Sequence, residues 1–281
     1  MDRYAQIRAN LMEIAQEDAT LRAVIAIGSS TRTDVPADEF SDLDLIIATT
    51  RPEDWLYGGM PDRLGEVRIS FTEPTLGGGA ERRMLYAGSL DVDLIVFTPE
   101  QLTQAVLDGV ASWVMNRGYD VMHDAMGIAP LIAQHVFPTA GFTPMGETEF
   151  ANVVNDFFFH AVWADKKLHR GEMWTAKMCI DAYLKRLLLR MIELARCGER
   201  DVWHDGRFLD HWADAETVAA LRDCFAHYEA ADMAQALRET VRLFARVGRE
   251  AAEVHGYAWP VRAQQEAESL LGLDYSPFHG V

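Results

Sequence analysis

The chain is short of positive charge. Among its 281 residues, 26 lysines and arginines stand against 43 aspartates and glutamates, a formal net charge of −17. Such a surface repels DNA, RNA and anionic lipid, offers no basic track for a template, and attracts cations. Nucleic acid and membrane are therefore not expected as partners. Cysteine is scarce as well. Cys179, Cys197 and Cys224 are odd in number, widely spaced and set in apolar helical-looking sequence, with no C-x-x-C pair. A disulfide framework or a zinc site is thus not expected, and reduced core thiols are. Met1-Asp2-Arg3-Tyr4 lacks a basic segment followed by an apolar one, and no apolar run reaches about 18 residues. A cytoplasmic location is expected. There is no Gly-x-Ser-x-Gly elbow, Walker loop or Gly-x-Gly-x-x-Gly fingerprint, and His123, His135, His160 and His169 lack ligand-like spacing.

What the chain does have is enough apolar sequence, 49%, to bury a core. Ile7, Leu11, Ile14 and Ala15 recur at helical spacing. Leu21 to Ile27 is a β-branched run stopped by Gly28, and Leu43 to Thr49 reads as a second strand. Glu66 to Phe71 and Arg82 to Tyr86 are strand candidates either side of Gly77-Gly78-Gly79, and Leu90 to Phe97 alternates clearly. Thr98, Pro99 and Gln101 then form a helix start with a capping box. After about residue 145 helical periodicity dominates: Glu147 to Leu168, Trp174 to Arg196, Ala215 to Ala230, Met233 to Val254 and Gln264 to Leu271. The expectation is an α+β protein. A mixed β-sheet flanked by helices occupies residues 1–140, and an all-helical bundle domain occupies 146–281, with the boundary in the loop 139–146.

The chemistry concentrates in the first part. A strand ends at Gly28-Ser29, the next opens with Asp42 and Asp44, and a later one carries Asp93. Residues i and i+2 of a strand share a face, so Asp42 and Asp44 point the same way. In the strand around Asp93, Val92, Leu94 and Val96 face one way while Asp91, Asp93 and Ile95 face the other. Three carboxylates converging from adjacent strands repel one another unless a cation sits between them. Magnesium suits hard oxygen ligands together with substrate phosphates. A glycine lets backbone approach a triphosphate, and a serine hydroxyl with nearby amides can hold its oxygens. Metal held by Asp42 and Asp44 would set the α-phosphorus for in-line attack, with Asp93 taking the incoming hydroxyl's proton or helping to hold a second ion.

With these residues the chain resembles the DNA polymerase β-like nucleotidyltransferase superfamily, and within it the aminoglycoside 6-adenylyltransferases, which modify streptomycin. The carriers are Gly28-Ser29-Ser30, Asp34-Val35-Pro36, Asp42-Leu43-Asp44 and Val92-Asp93-Leu94. Further matches are Phe157-Phe158-Phe159 with Trp163, then Lys166, Arg170 and Glu172, then Ala176-Lys177, then the stretches 203–209 and 256–260. One departure stands out: the family's arginine directly after Gly-Ser is Ser30 here, with Arg32 two positions later.

The resemblance implies magnesium-dependent transfer of AMP from ATP to a hydroxyl of a streptomycin-like aminoglycoside, with release of pyrophosphate. It implies Asp42, Asp44 and Asp93 as metal-binding and catalytic residues, and about two Mg²⁺ ions. Gly28, Ser29, Ser30, Arg32 and Lys177 would bind the nucleotide, Lys177 as a compact donor to its phosphates. A guanidinium-bearing substrate calls for carboxylates and aromatic faces, for which Trp163, Asp165, Glu172 and Trp174 are the candidates. The site is expected in the cleft between domains, in a monomer or homodimer. Two alternatives are a different small-molecule or protein hydroxyl as acceptor, and a non-catalytic nucleotide-binding protein.

Overall fold

The computed structural model describes residues 2–32, 35–137, 142–199 and 201–273. Asp34 of the expected family loop and residues 139–141 of the expected boundary loop lie outside them. The chain divides into two compact units, Met1–Ala140 and Gly141–Val281.

In chain order the first unit contains α1 (Ala5–Glu17), β1 (Leu21–Ile27), β2 (Leu43–Thr49), α2 (Pro52–Leu56), β3 (Val67–Pro74), β4 (Ala80–Tyr86), β5 (Leu90–Phe97), α3 (Pro99–Leu107), α4 (Val110–Met115), β6 (Asp120–Asp124) and α5 (Ile128–His135). Six strands form one mixed sheet in the order β3-β4-β5-β2-β1-β6. β2 and β5 run parallel, and the other neighbours are antiparallel. The protein is therefore α+β, a six-stranded mixed sheet with helices followed by a helical region.

Strand alternation sorts the core into two layers. Val24, Leu43, Leu45, Ile47, Val92, Leu94 and Val96 pack with Ile7, Leu11 and Ile14 of α1 and Trp55 of α2. Ala23, Ile25, Ile27, Ile46, Ala48 and Phe97 pack with Leu102 and Val106 of α3, Met115 of α4, and Ile128 and Ile132 of α5. Both faces of the central strands are thus covered, which explains their nearly unbroken apolar runs. The start of α3 is as its sequence foretells: Thr98 Oγ1 accepts from the Gln101 amide at 3.2 Å, and Gln101 Oε1 accepts from the Thr98 amide at 2.8 Å. Strand β6, Asp-Val-Met-His-Asp, was not legible because a five-residue edge strand with charged ends carries little hydrophobic signal.

The second unit contains α6 (Glu147–His169), α7 (Met173–Met178), α8 (Leu184–Arg196), α9 (Leu209–Trp212), α10 (Ala215–Leu221), α11 (Ala230–His255) and α12 (Val261–Leu270). Its centre is aromatic. Phe157 stacks on Phe244 with ring centroids 3.5 Å apart, and Phe158 meets Trp259 edge-on at 6.2 Å. Phe157 and Phe158 are core, whereas Phe159 is 66% exposed.

Two helices depart from their expected limits. The stretch 174–196 is interrupted by a π turn over Cys179–Tyr183, where Lys185 Nζ donates to the Ile180 carbonyl at 3.0 Å. The expected helix 215–230 ends as α10 at Leu221, followed by a 3-10 turn over Arg222–Cys224. Side chains take the backbone groups that would have continued it: the Asp232 carboxylate accepts from the His227 amide at 2.6 Å, and Lys177 donates to the Ala226 carbonyl. All three cysteines are buried and free. Among the described residues no helix is long and apolar enough to cross a membrane.

Candidate active site

The site begins where β1 stops. Gly28 has φ +70°, and a Cβ there would lie 2.0 Å from Asp44 Oδ2, so only glycine lets the Asp44 side chain pass the turn. Gly28–Ser30 form a single 3-10 turn. Ser29 is buried and its hydroxyl donates to the Asp42 carbonyl at 3.3 Å, tying this turn to the start of β2. Ser30 Oγ donates to the Ile27 carbonyl at 3.2 Å. Arg32 Nε donates to the Val35 carbonyl, so it folds back on its own loop.

Register then assembles the carboxylates. Asp44 is opposite Ile27 in β1 and opposite Asp93 in the parallel β5, which puts both aspartates in one row across one face of the sheet. Asp42, two residues earlier, joins that face. One oxygen from each of Asp42, Asp44 and Asp93 lies within 4.8 Å of the others. Burial pushes the Asp93 carboxyl up to about 7; Arg83 opposes this, while Glu81, Asp91 and Asp42 add to it. A buried acid among other acids gives up its proton readily only when a cation joins it. Three carboxylate oxygens gathered in this way could hold a metal ion.

Sequence reasoning missed Arg83 and Glu81 here, and with them Glu73 and Tyr4. Arg83 of β4 pairs in register with Asp93, its Nη1 lying 3.3 Å from Asp93 Oδ2. Its Nε lies 2.8 Å from Glu73 and 3.0 Å from Glu81. Burial alone would lower the Arg83 pKa, but Asp93, Glu81 and Glu73 outweigh it and raise it. Tyr4 joins the two strand starts from a distance: its hydroxyl donates to the Ser41 carbonyl at 2.8 Å and accepts from the Asp91 amide at 3.2 Å. The alternation Glu81-x-Arg83 was a signal for the first two; Tyr4 had none.

The remaining expected site residues belong to the helical unit. Lys177 Nζ pairs with Asp181 and with the Ala226 carbonyl. Trp163 is half-buried under Lys167, whose Nζ is 5.1 Å from its ring centroid. Lys167 also reaches Glu172 at 2.7 Å, and Arg170 reaches the other Glu172 oxygen at 2.6 Å. Hydrogen bonds from Lys167 and then Arg170 hold Glu172 below the usual carboxylate range. Asp165 lies 3.4 Å from His169, and Trp174 is 69% exposed. A groove of about 660 Å³ between α6 and α12 is lined by Trp163 together with Asp156, Phe159 and Lys166, but not by Asp165, Glu172 or Trp174.

A mixed sheet that brings Asp44 and Asp93 of adjacent strands together with Asp42, just before β2, beside a Gly-Ser turn is consistent with the site of a nucleotidyltransferase that works with metal. The family model described as "Streptomycin adenylyltransferase" matches residues 1–271, and the chain belongs to that family. No curated protein sequence matches it. Among solved structures it is similar to an aminoglycoside 6-adenyltransferase from Bacillus subtilis, at 14% identity over 97% of this chain and 98% of that one, with a TM-score of 0.43. It is also similar to a nucleotidyltransferase-like protein from Exiguobacterium sibiricum, at 14% identity over 96% of this chain and 88% of that one, with a TM-score of 0.35.

Proposed function

We propose that the protein transfers AMP from ATP to a hydroxyl of a streptomycin-like aminoglycoside and releases pyrophosphate. The observation that carries this reading is the convergence of Asp42, Asp44 and Asp93 within 4.8 Å beside the Gly28 turn, in a chain of this family. The net charge of −17 suits a polycationic acceptor.

Asp42, Asp44 and Asp93 would hold Mg²⁺, which when bound neutralises phosphate charge and makes the α-phosphorus electrophilic. The turn at Gly28, Ser29 and Ser30, with Arg32, orients the triphosphate, and Lys177 contributes charge to its outer phosphates once it leaves Asp181. Asp93 accepts the proton of the attacking hydroxyl. The new bond joins that oxygen to the α-phosphorus, and the bond from the α-phosphorus to pyrophosphate breaks. Trp163, Asp165, Glu172 and Trp174 of the helical unit hold the cationic acceptor through carboxylates and aromatic faces. The protein domain of residues 1–140 would thus carry metal and nucleotide, and residues 146–281 the substrate.

The test is pyrophosphate release from ATP and Mg²⁺, with and without streptomycin, for the wild type and Asp42→Ala. Release that needs both streptomycin and Asp42 is expected. Equal release from Asp42→Ala overturns the mechanism, and release stimulated by another acceptor but not by streptomycin overturns the substrate.

A further inference from the structure

Arg83 has an unusual set of neighbours for a strand residue beside an acidic site. Its Nε lies between Glu73 at 2.8 Å and Glu81 at 3.0 Å, which leaves the Nη1 edge directed at Asp93 Oδ2, 3.3 Å away. Antiparallel pairing sets Arg83 opposite Asp93, and parallel pairing sets Asp44 opposite Asp93 from the other side. Arg83, Asp93 and Asp44 therefore form one cross-strand row, with the guanidinium at one end and the buried carboxylate in the middle. Glu81 is opposite Ile95 and Glu73 opposite Glu81 in the next row, so the clamp for the arginine is supplied by strands β3 and β4 alone.

Two consequences follow from elementary electrostatics. A planar guanidinium held on one edge by two carboxylates has little freedom to turn, so it fixes the carboxylate on its other edge. It also places one positive charge next to a group of three aspartates, which weakens their collective attraction for a bare divalent ion.

We propose that Arg83 is a positioning residue of the nucleotidyl-transfer site: it sets the orientation of Asp93 and offsets part of the triad's charge, so that the site favours the ion that arrives with nucleotide over the ion alone. The proposal rests on the nucleotidyltransferase reading of the triad. Arg83 touches Asp93 and acts through it.

The test has a readout that does not depend on turnover. Mn²⁺ binding without nucleotide is measured by electron paramagnetic resonance for the wild type, Arg83→Met and Arg83→Lys, and kcat and KM for ATP are measured beside it. Arg83→Met is expected to bind bare Mn²⁺ about tenfold more tightly, the scale for removing a half-exposed charge beside a ligand. Its kcat falls about tenfold or more while its KM for ATP changes little, because the carboxylate is present but no longer held. Arg83→Lys restores the bare-ion affinity, since the charge returns, but only part of kcat, since a lysine lacks the second edge. If Arg83→Met proves unfolded, Glu73→Gln serves instead. It loosens the clamp, and a lower kcat with unchanged KM is expected. Bare-ion affinity that is unchanged or weaker in folded Arg83→Met, with kcat intact, overturns the proposal alone. A wild type that binds no Mn²⁺ and releases no pyrophosphate overturns the reading of the triad, and the proposal with it.

Discussion

The acidic site of the sheet unit and the ion pairs of the helical unit handle charge in opposite ways. At the site acid meets acid, with only Arg83 against it: Asp42, Asp44 and Asp93 are brought within 4.8 Å of one another, and beyond burial and against Arg83, Glu81 and Asp91 push Asp93 further up. In the helical unit acid meets base. Arg196 reaches Asp214 at 3.4 Å and also bonds Glu250, Glu172 takes Lys167 and Arg170, and Lys177 takes Asp181. Like charges held together are costly for the fold and useful to a cation-dependent reaction, whereas alternating charges are what a stable surface or interior selects. Substitutions in the triad should therefore cost turnover, and one at Arg196, which has no part in the proposed site, should cost stability.

Gly28→Ala attacks that contrast at its strongest point. The new Cβ collides with the Asp44 carboxylate at a φ that L residues avoid, so Asp44 must swing away. Pyrophosphate release is expected to fall about a hundredfold or more, with a stability loss of only about 1–2 kcal/mol from the left-handed backbone. A variant with near-normal turnover would show that the site does not need the Asp44 position seen here.

Arg196→Met makes the converse case. Its side chain is 14% exposed, and its removal takes a partner from Glu250 and one of the partners of Asp214, which keeps its bonds from Thr217. Chemical denaturation should register a loss of about 1–2 kcal/mol, with KM and kcat unmoved at a temperature where the variant stays folded. A kinetic defect at that temperature would blur the division between the two units.

Glu193→Gln is the finer probe, because Glu193 is the helical unit's own exception. Burial pushes its carboxyl up to about 7, with Asp205 adding to this and Arg190 opposing it. The folded protein then holds a proton that the unfolded chain has lost above about pH 4.5. Stability from this group is therefore full below that pH and is lost as pH rises toward 7. Glutamine keeps the neutral form at every pH. The variant should match the wild type near pH 4 and exceed it by about 2 kcal/mol at pH 8; an equal difference at both ends would remove the pH argument.

Much of this was legible in the residues. Val24, Leu45, Leu94 and their neighbours announced buried central strands, and the pair Asp42 and Asp44 announced a shared face, because strand periodicity is a property of the covalent backbone. Thr98, Pro99 and Gln101 announced a helix start for the same local reason. The end of α10 at Leu221 was not legible, since helical periodicity continues past it and the bonds that stop it come from Lys177 and Asp232. Residues proposed from the helical half, such as Trp163 and Glu172, were chosen by type, and the structure shows them already engaged with Lys167.

The sequence by itself determined which strand faces carry carboxylates and where glycine must stand, because alternation and backbone freedom are local. Only the tertiary structure decided which strands lie side by side, and hence that Arg83 meets Asp93 and that Tyr4 bonds Asp91 87 residues away. Register between distant strands is set by which apolar faces bury together, and no spacing within a single strand contains that information.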